Sequence, residues 1–561
     1  MSPFNGSENN SGDEADLSPS RNVTATPSAE GLLQECKTLV SELKEFHALL
    51  KERKQEGRVE LRQFQSSVLS EMRALEKLAQ ADPSEDRIQH ALRSSNLPFY
   101  TAVWAAAKRS QGLVTFHKRF YWEVPARLSH KHDKASTDQA NGDARAGAAA
   151  AAAAAAAPKP KKKSALVDIV AGNGLEWIKV STITPARLGF EMAKAGWEGQ
   201  DSGSASAASS TSSTLSDCSD DVSLLKAADD LSKASHATRI SYQHPHIHFV
   251  LPKIAEGTHP AIDELLETIR SSTGATIECA QDLQQQEEEE QTSSPSMPEL
   301  VDRLILSSFT SLTKTLNIDC TILLALVSDL SYNASLTPAP HLHRAIRRQI
   351  ELEAHDHLLP DILWPAMGDR QLVCTAEAAK RMREIVDTIG TDDERTRTDL
   401  LLSDSSSSSS SSIDTPAQSP RERVQGFQSL SSYPVPKEWN LPVLVRPFSA
   451  ASALSKLSHS PPPSSPSSSP SPSKPSPSAA AAAKTVSDTL SDINRSVFLY
   501  GWSEGHTTLS SNRTVAKAIE AVVEKCSAES EAEGKGELSG PDIWLCPVAR
   551  SLVGKEKDRR E

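Results

Sequence analysis

The residue most open to a chemical reading is Asp319, in the stretch "LNIDCTILLALVSDLS" at 316–331. A carboxylate that ends a short apolar run and precedes an aliphatic helix can do one of two things. It can serve as a hard oxygen ligand for a divalent cation, or it can cap the free N–H groups of the helix's first turn, typically worth about 1 kcal/mol. Thr321, two residues on, could share the second task. The run "HPHIH" looks like a second site. On a strand His244, His246 and His248 share one face while Ile247, Phe249 and Leu251 take the other. Three imidazoles could take Zn or Ni, but a repeat of about 6–7 Å between alternate residues works against their convergence on one ion. A half-exposed polar strand face is therefore the favoured reading. "AGNGLEWIKV" is not a G-x-G-x-x-G loop and runs into a strand, so its glycines serve a turn, with Asp168, Glu176 and Lys179 read as solvated. No G-x-S-x-G, H-E-x-x-H or Walker motif occurs, which leaves nucleophilic hydrolysis without a basis.

These residues need elements to hold them. Apolar residues recur every three or four positions at Leu32, Cys36, Leu39, Leu43, Phe46 and Leu50, then at Leu61, Phe64, Val68, Met72, Leu75 and Leu78, which predicts a helical hairpin. "NLPFYTAVWAAAKRS" adds a helix with Pro98 in its first turn. "ALVDIV" and "EWIKV" flank a Gly-Asn-Gly turn, the mark of a hairpin of strands; "HIHFVL" and "ATIECA" read as strands around the helix "AIDELLETIRSS". Further on, "TLNID" is a strand entering a helix, and "SVFLYGW", "HTTLSS" and "DIWLCPVA" read as strands between helices. Such alternation favours a wound parallel sheet, whose ligand crevice lies at the strands' carboxyl ends. Asp319 stands at such an end.

Composition sets the outer bounds. Across 561 residues the hydrophobic share is 38% and the aromatic share 5%, with 34 prolines and a net charge of −13, so the chain as a whole is a poor electrostatic match for nucleic acid. Seven scattered cysteines form no C-x-x-C pair, which fits a reducing compartment. The polar, acidic start and the lack of a long apolar run lead us to expect an intracellular protein, cytoplasmic, nuclear or both, neither secreted nor in a membrane. Six low-complexity stretches are expected as disordered: 1–28, 128–164, 199–238, 280–298, 401–424 and 454–488. They divide the chain into a tail at 1–28, a helical hairpin plus mixed α/β domain at 29–279, an acidic linker at 280–298, a C-terminal domain at 299–552 and a charged tail at 553–561. "PKPKKK" inside the second stretch is either an import signal or nucleic-acid contact, or a solubilising linker.

Taken together and in this order, "ALVDIVAGNGLEWIKV", "YQHPHIHFVL", "LNIDCTILLALVSDLSY", "DTIGTDDERTR" and "SSNRTVAKAIE" resemble a eukaryotic family over about residues 30–552. Its C-terminal half is classed as PIN-like and is preceded by a domain of unknown function. The resemblance implies an α/β fold, with a PIN-type α/β/α sandwich in the C-terminal half. Active PIN domains are single-strand ribonucleases in which several carboxylates hold Mg²⁺ or Mn²⁺, the metal supplying hydroxide and neutralising charge on the phosphate. Carried over, the resemblance makes Asp319 the first acidic position and puts Arg381 where a glutamate is usual, with Glu377 and Glu384 one turn to either side. Asn512 stands where a late aspartate is usual, and Glu504 in "YGWSEGH" is a substitute acid. The implied metal set is thus Asp319, Glu504 and Asn512, with Asp319 and Glu504 as the catalytic candidates and Mg or Mn as the cofactor.

Two of these positions lack the expected acid, so the leading expectation is a degenerate PIN-like domain that binds RNA or a protein partner. The alternatives are a metal-dependent ribonuclease using Asp319, and an interaction scaffold acting through its inserts and N-terminal hairpin.

Overall fold

In the computed structural model the described residues are 28–53, 55–81, 85–124, 161–197, 222–290, 295–305, 309, 311–333, 336–338, 342–403, 419–459, 477–534 and 538–553. They fall into two compact units, one reaching to Ala105 and one from Ala106 onward.

The first unit is helical. Helices α1 (Ala29–Glu52) and α2 (Arg62–Ala79) pack against each other, followed by α3 (Asp86–Arg93) and α4 (Leu97–Arg109), whose last residues belong to the second unit. The three-and-four spacing places Cys36, Leu43, Phe46 and Leu50 of α1 and Phe64, Val68 and Leu75 of α2 out of water. Trp104 meets Phe46 edge to face at 5.5 Å, and its indole N–H donates to Glu42 at 2.7 Å.

The second unit holds two five-stranded sheets. In the first, β1 (Thr115–Val124), β2 (Lys161–Ala171), β3 (Glu176–Val180), β4 (His246–Leu251) and β5 (Thr276–Cys279) lie in chain order. The first three are antiparallel neighbours and the last three parallel. The turn between β2 and β3 is Gly172–Gly174, with φ of +57°, +56° and +108° at Gly172, Asn173 and Gly174, a conformation that suits glycine. Helices α5 (Pro185–Lys194), α6 (Ser223–His236) and α7 (Pro260–Thr273) bury Leu188, Leu231 and Leu265 in one cluster with Trp177 and Phe249. Helices α8 (Ala280–Glu290) and α9 (Met297–Leu304) follow.

The second sheet is wholly parallel, in the order β10-β9-β6-β7-β8. Its strands are β6 (Thr315–Ile318), β7 (Gln371–Thr375), β8 (Leu444–Arg446), β9 (Thr507–Ser510) and β10 (Ile543–Leu545). Each crossover is helical. Between β6 and β7 come α10 (Cys320–Ala325), α11 (Asp329–Tyr332), α12 (Arg344–Glu353) and α13 (Trp364–Met367). Between β7 and β8 lie α14 (Ala376–Ile389), α15 (Asp392–Leu401) and α16 (Pro420–Ser429). Between β8 and β9 lie α17 (Ala450–His459), α18 (Pro477–Thr489) and α19 (Asp492–Glu504), and α20 (Arg513–Ala532) joins β9 to β10. The fold is therefore mixed α/β with a parallel sheet in the C-terminal half, and among the described residues no helix is long and apolar enough to cross a membrane.

Several local expectations change. Helix α6 lies inside 199–238, α8 inside 280–298, the start of α16 inside 401–424, and most of α17 and α18 inside 454–488. Alanine explains the last case. A shortage of large apolar residues argues for disorder, yet alanine is the best helix former, and Ala482, Ala483 and Val486 are fully buried in the main core. The lysines at 161–163 are not linker but the start of β2. "SVFLYGW" is not a strand: it is the body of α19, where a continuous apolar run fits a helix buried nearly all round. The low-complexity stretches at 1–27, 125–160, 198–221, 291–294, 404–418 and 460–476 lie outside the described residues.

Candidate functional site at the carboxyl edge of the second sheet

Strand β6 is central, and the chain order reverses on either side of it: β7 and β8 lie one way, β9 and β10 the other. In a parallel sheet this switch point, at the carboxyl ends of the two diverging strands, is where a crevice opens. Leu316, Asn317 and Ile318 are fully buried, so the strand delivers Asp319 to that point, with Ser510 at the end of β9 beside it.

Asp319 stands at the N-cap position of α10 with extended φ and ψ of −70° and 152°, but its side chain makes no capping hydrogen bond. Instead the hydroxyls of Ser510 and Thr321 both donate to Oδ2 at 2.7 Å. The network continues outward. Thr321 Oγ1 accepts from the Ser511 amide at 3.1 Å, Ser510 Oγ accepts from the Asn512 amide at 3.0 Å, and the Asp319 amide donates to the Leu509 carbonyl at 3.0 Å. Asp319 is 2% exposed. Burial pushes its carboxyl above the usual range, and the Ser510 and Thr321 hydroxyls with the first amides of α10 pull it partly back. What this geometry does is tie β6 to β9.

The other implied residues are placed differently. Asn512 shares the edge, but its Oδ1 accepts from the Val515 amide at 3.3 Å and caps α20. Glu504 does not share it. It ends α19 and precedes the amino end of β9, the opposite edge of the sheet, and it pairs with Lys456 on α17. A strand at "SVFLYGW" would have carried Glu504 to the carboxyl edge, whereas the helix there ends it at the amino edge. On α14, Arg381 is half-exposed and pairs with Glu384 at 3.3 Å, while Glu377 in the first turn has a buried Oε2 with no hydrogen-bond partner. Among the described residues no group of three or more His, Cys, Asp or Glu side chains could hold a metal ion. Asp319, Glu504 and Asn512 therefore do not fit as the ligand set of a Mg²⁺ or Mn²⁺ ion, which one carboxylate seldom holds alone.

Residues 316–418 match a family described as a protein of unknown function, DUF1308. The matched stretch begins in β6 and includes Asp319, β7, α14 and α15. No solved structure matches the chain.

Within the matched domain, "GTDDERTR" is spent on structure. Thr391 and Glu394 form a capping box on α15, and Thr391 also donates to Asp329 Oδ2 at 2.7 Å. Arg397, 2% exposed, donates to Asp329 Oδ1 at 2.6 Å and to the Val327 and Leu430 carbonyls at 3.1 and 2.7 Å, and lies over the Tyr332 ring at 4.5 Å.

Sequence reasoning missed a second charged cluster, on the first sheet. The three histidines do not act as a set: His244 precedes β4 and its Nδ1 contacts the Ser235 and Thr238 carbonyls. His246 is exposed and contacts Thr276. His248 lies between two carboxylates, Nδ1 at 3.3 Å from Glu176 and Nε2 at 3.3 Å from Glu278, with Arg109 3.6 Å from Glu278. These four residues border a cavity of about 390 Å³. Because the carboxylates take opposite nitrogens of the ring, they cannot share a metal with it. Asp168 is likewise not solvated: it is 1% exposed, pairs with Lys179 and accepts from the Val180 amide at 2.9 Å. Register across three strands brought these groups together, and no local motif marks that.

Proposed function

We propose that the C-terminal half is a PIN-like module that holds single-stranded RNA along the carboxyl edge of its parallel sheet without cleaving it. The observation that carries this reading is the state of Asp319. One oxygen is occupied by two hydroxyls, the carboxyl is biased toward its neutral form, and neither Glu504 nor Asn512 completes a ligand set. A phosphodiester can still be bound there. Helices α14 and α20 begin at the carboxyl ends of β7 and β9, so their positive dipole ends face this edge. Arg446 and Arg513 are exposed at or just beyond the strand ends, and half-exposed Arg381 lies in the second turn of α14. Cations of this kind supply the sequence-independent part of nucleic-acid affinity. The strand order with Asp319 at the end of the central strand supports the PIN-like reading of the fold.

The test incubates the full-length protein with labelled single-stranded RNA in Mg²⁺ and in Mn²⁺, reading binding and cleavage separately. Binding without cleavage is expected, retained in Asp319→Asn and weakened at least several-fold in the Arg381→Glu/Arg513→Glu double variant. Mn²⁺-dependent cleavage lost in Asp319→Asn would overturn the binding-only reading, and no binding by the unmodified protein would overturn the RNA reading.

A further inference from the structure

Strands β1 and β2 pair antiparallel over nearly their whole length, and their outer ends form a two-stranded ribbon at the edge of the first sheet. Register assigns the two faces. Arg119 pairs with Leu166, Tyr121 with Ser164 and Glu123 with Lys162, so these six share one face. On the other face Phe120 stacks on Trp177 at 3.9 Å and Trp122 is 7% exposed, which anchors the ribbon to the core. That anchoring leaves Tyr121 facing outward, 61% exposed, one of few large hydrophobic side chains so placed among the described residues. On its own face Arg119 and Lys162 are exposed to either side of it, while on the far side Lys118 lies over the Phe120 ring at 5.0 Å and Lys163 faces Asp230 of α6. Glu123 is the one acid in this outer part. The Glu123–Lys162 separation is 3.9 Å with both side chains well exposed, a contact of little energetic weight.

We propose that this ribbon is a second contact for single-stranded nucleic acid, with an unpaired base stacked on Tyr121 and the flanking phosphates on Arg119 and Lys162. An aromatic platform between cations is the arrangement that binds single strands without sequence preference, because every base offers a π-face and every phosphate a charge. A duplex offers no free base to Tyr121, so the unpaired form is favoured. Against a net charge of −13 for the chain, the two cations on Tyr121's own face, set against Glu123 alone, are what draws a polyanion to this patch. The proposal takes its class of ligand from the RNA-binding reading above but uses different residues, so the two fail separately.

The experiment is fluorescence anisotropy with labelled oligo(U) and oligo(dT) on the full-length protein, at two salt concentrations. Tyr121→Ala should raise Kd roughly 5- to 150-fold, the equivalent of losing one stacked base, and Tyr121→Phe should bind like the unmodified protein. Arg119→Ala/Lys162→Ala should lower the slope of log affinity against log salt by about 1.4, since each phosphate contact on a single strand contributes about 0.7. All three residues are exposed, and circular dichroism checks that the variants fold. Unchanged affinity and slope in both variants, with binding still lost in Arg381→Glu/Arg513→Glu, would overturn the ribbon and leave the carboxyl edge standing. Displacement of oligo(U) by polyglutamate at equal charge would also overturn it, because a general polyanion site has no use for Tyr121. Failure of the unmodified protein to bind either oligonucleotide would overturn both readings.

Discussion

The Ser510 hydroxyl donates to Asp319 Oδ2 at 2.7 Å, joining the ends of two strands that are neighbours in the sheet and 191 positions apart in the chain. Asp319 is thus a cross-strand tie at the switch point and no member of an acidic cluster among the described residues. Ser510→Ala removes a donor to Asp319 and the acceptor of the Asn512 amide together, and should cost about 1–3 kcal/mol in urea unfolding. In a double-mutant cycle with Asp319→Asn the two changes should couple by about 0.5–3 kcal/mol, as contacting residues do.

The same carboxyl sets a pH signature. Its native pKa lies above the ordinary 3.8, so the native state binds this proton more tightly than the unfolded chain does. That contribution is complete below the unfolded value and is lost as pH rises through the native one. Asp319→Asn has no such dependence. The stability advantage of the unmodified protein over the variant should therefore shrink as pH is raised from about 4 toward neutrality. An advantage that grew with pH would mean that a cation holds the charged form.

Arg397 is the buried cation on which the matched domain's "GTDDERTR" stretch converges. It satisfies Asp329 and two backbone carbonyls at once, so Arg397→Met should deprive all three of this donor and destabilise by about 3–5 kcal/mol. Arg397→Lys should recover only part of this, because a single ammonium cannot reproduce a planar fork that reaches three acceptors. Urea unfolding of both variants measures the difference.

The parts legible in the sequence were those in which one local signal sufficed. The three-and-four spacing from Leu32 marked the helical hairpin, Gly172–Asn173–Gly174 marked the turn between β2 and β3, and the strand-to-helix change at Asp319 marked the central strand. What escaped were features set by neighbours far along the chain. Nothing near Glu176 or Glu278 announces that both flank His248, and nothing near Asp319 names Ser510. The strand β1, although "TFHKRFYWEV" alternates poorly, forms because β2 pairs with it. The run "SVFLYGW" misled for a related reason: its uninterrupted apolarity fits a buried strand as well as a buried helix.

Gly501, inside that run, carries a consequence of the helix. A Cβ there would collide with Thr508 Oγ1 and sit 3.0 Å from Asn317 Nδ2, two polar groups of β9 and β6. Asn317 Nδ2 itself donates to the Val497 carbonyl at 2.9 Å and to Thr508 at 3.0 Å, so α19 rests directly on the sheet through this glycine. Gly501→Ala should destabilise by about 1–3 kcal/mol despite alanine's better helix propensity, because the added methyl overpacks a closed contact. A thermal midpoint at or above that of the unmodified protein would show that the helix has room to lift.

His248 gives the last prediction, and its sign at alkaline pH is set by two carboxylates. Burial opposes a charged ring, but Glu176 and Glu278 on its two nitrogens outweigh that and push its pKa up to about 9. The ring is therefore protonated at neutral pH and completes a charge cluster with Arg109. A raised histidine pKa contributes stability that is fully present below about 6.5 and is lost as pH climbs through about 9. At 14% side-chain exposure little solvent screening reduces it, and the contribution is on the order of 3 kcal/mol, at about 1.4 kcal/mol per unit. His248→Gln should lose that amount near pH 6.5 and little near pH 9.5, so the two urea midpoints should converge at alkaline pH. Parallel curves across this interval would mean that the ring is neutral between its carboxylates, with one of them carrying the proton instead.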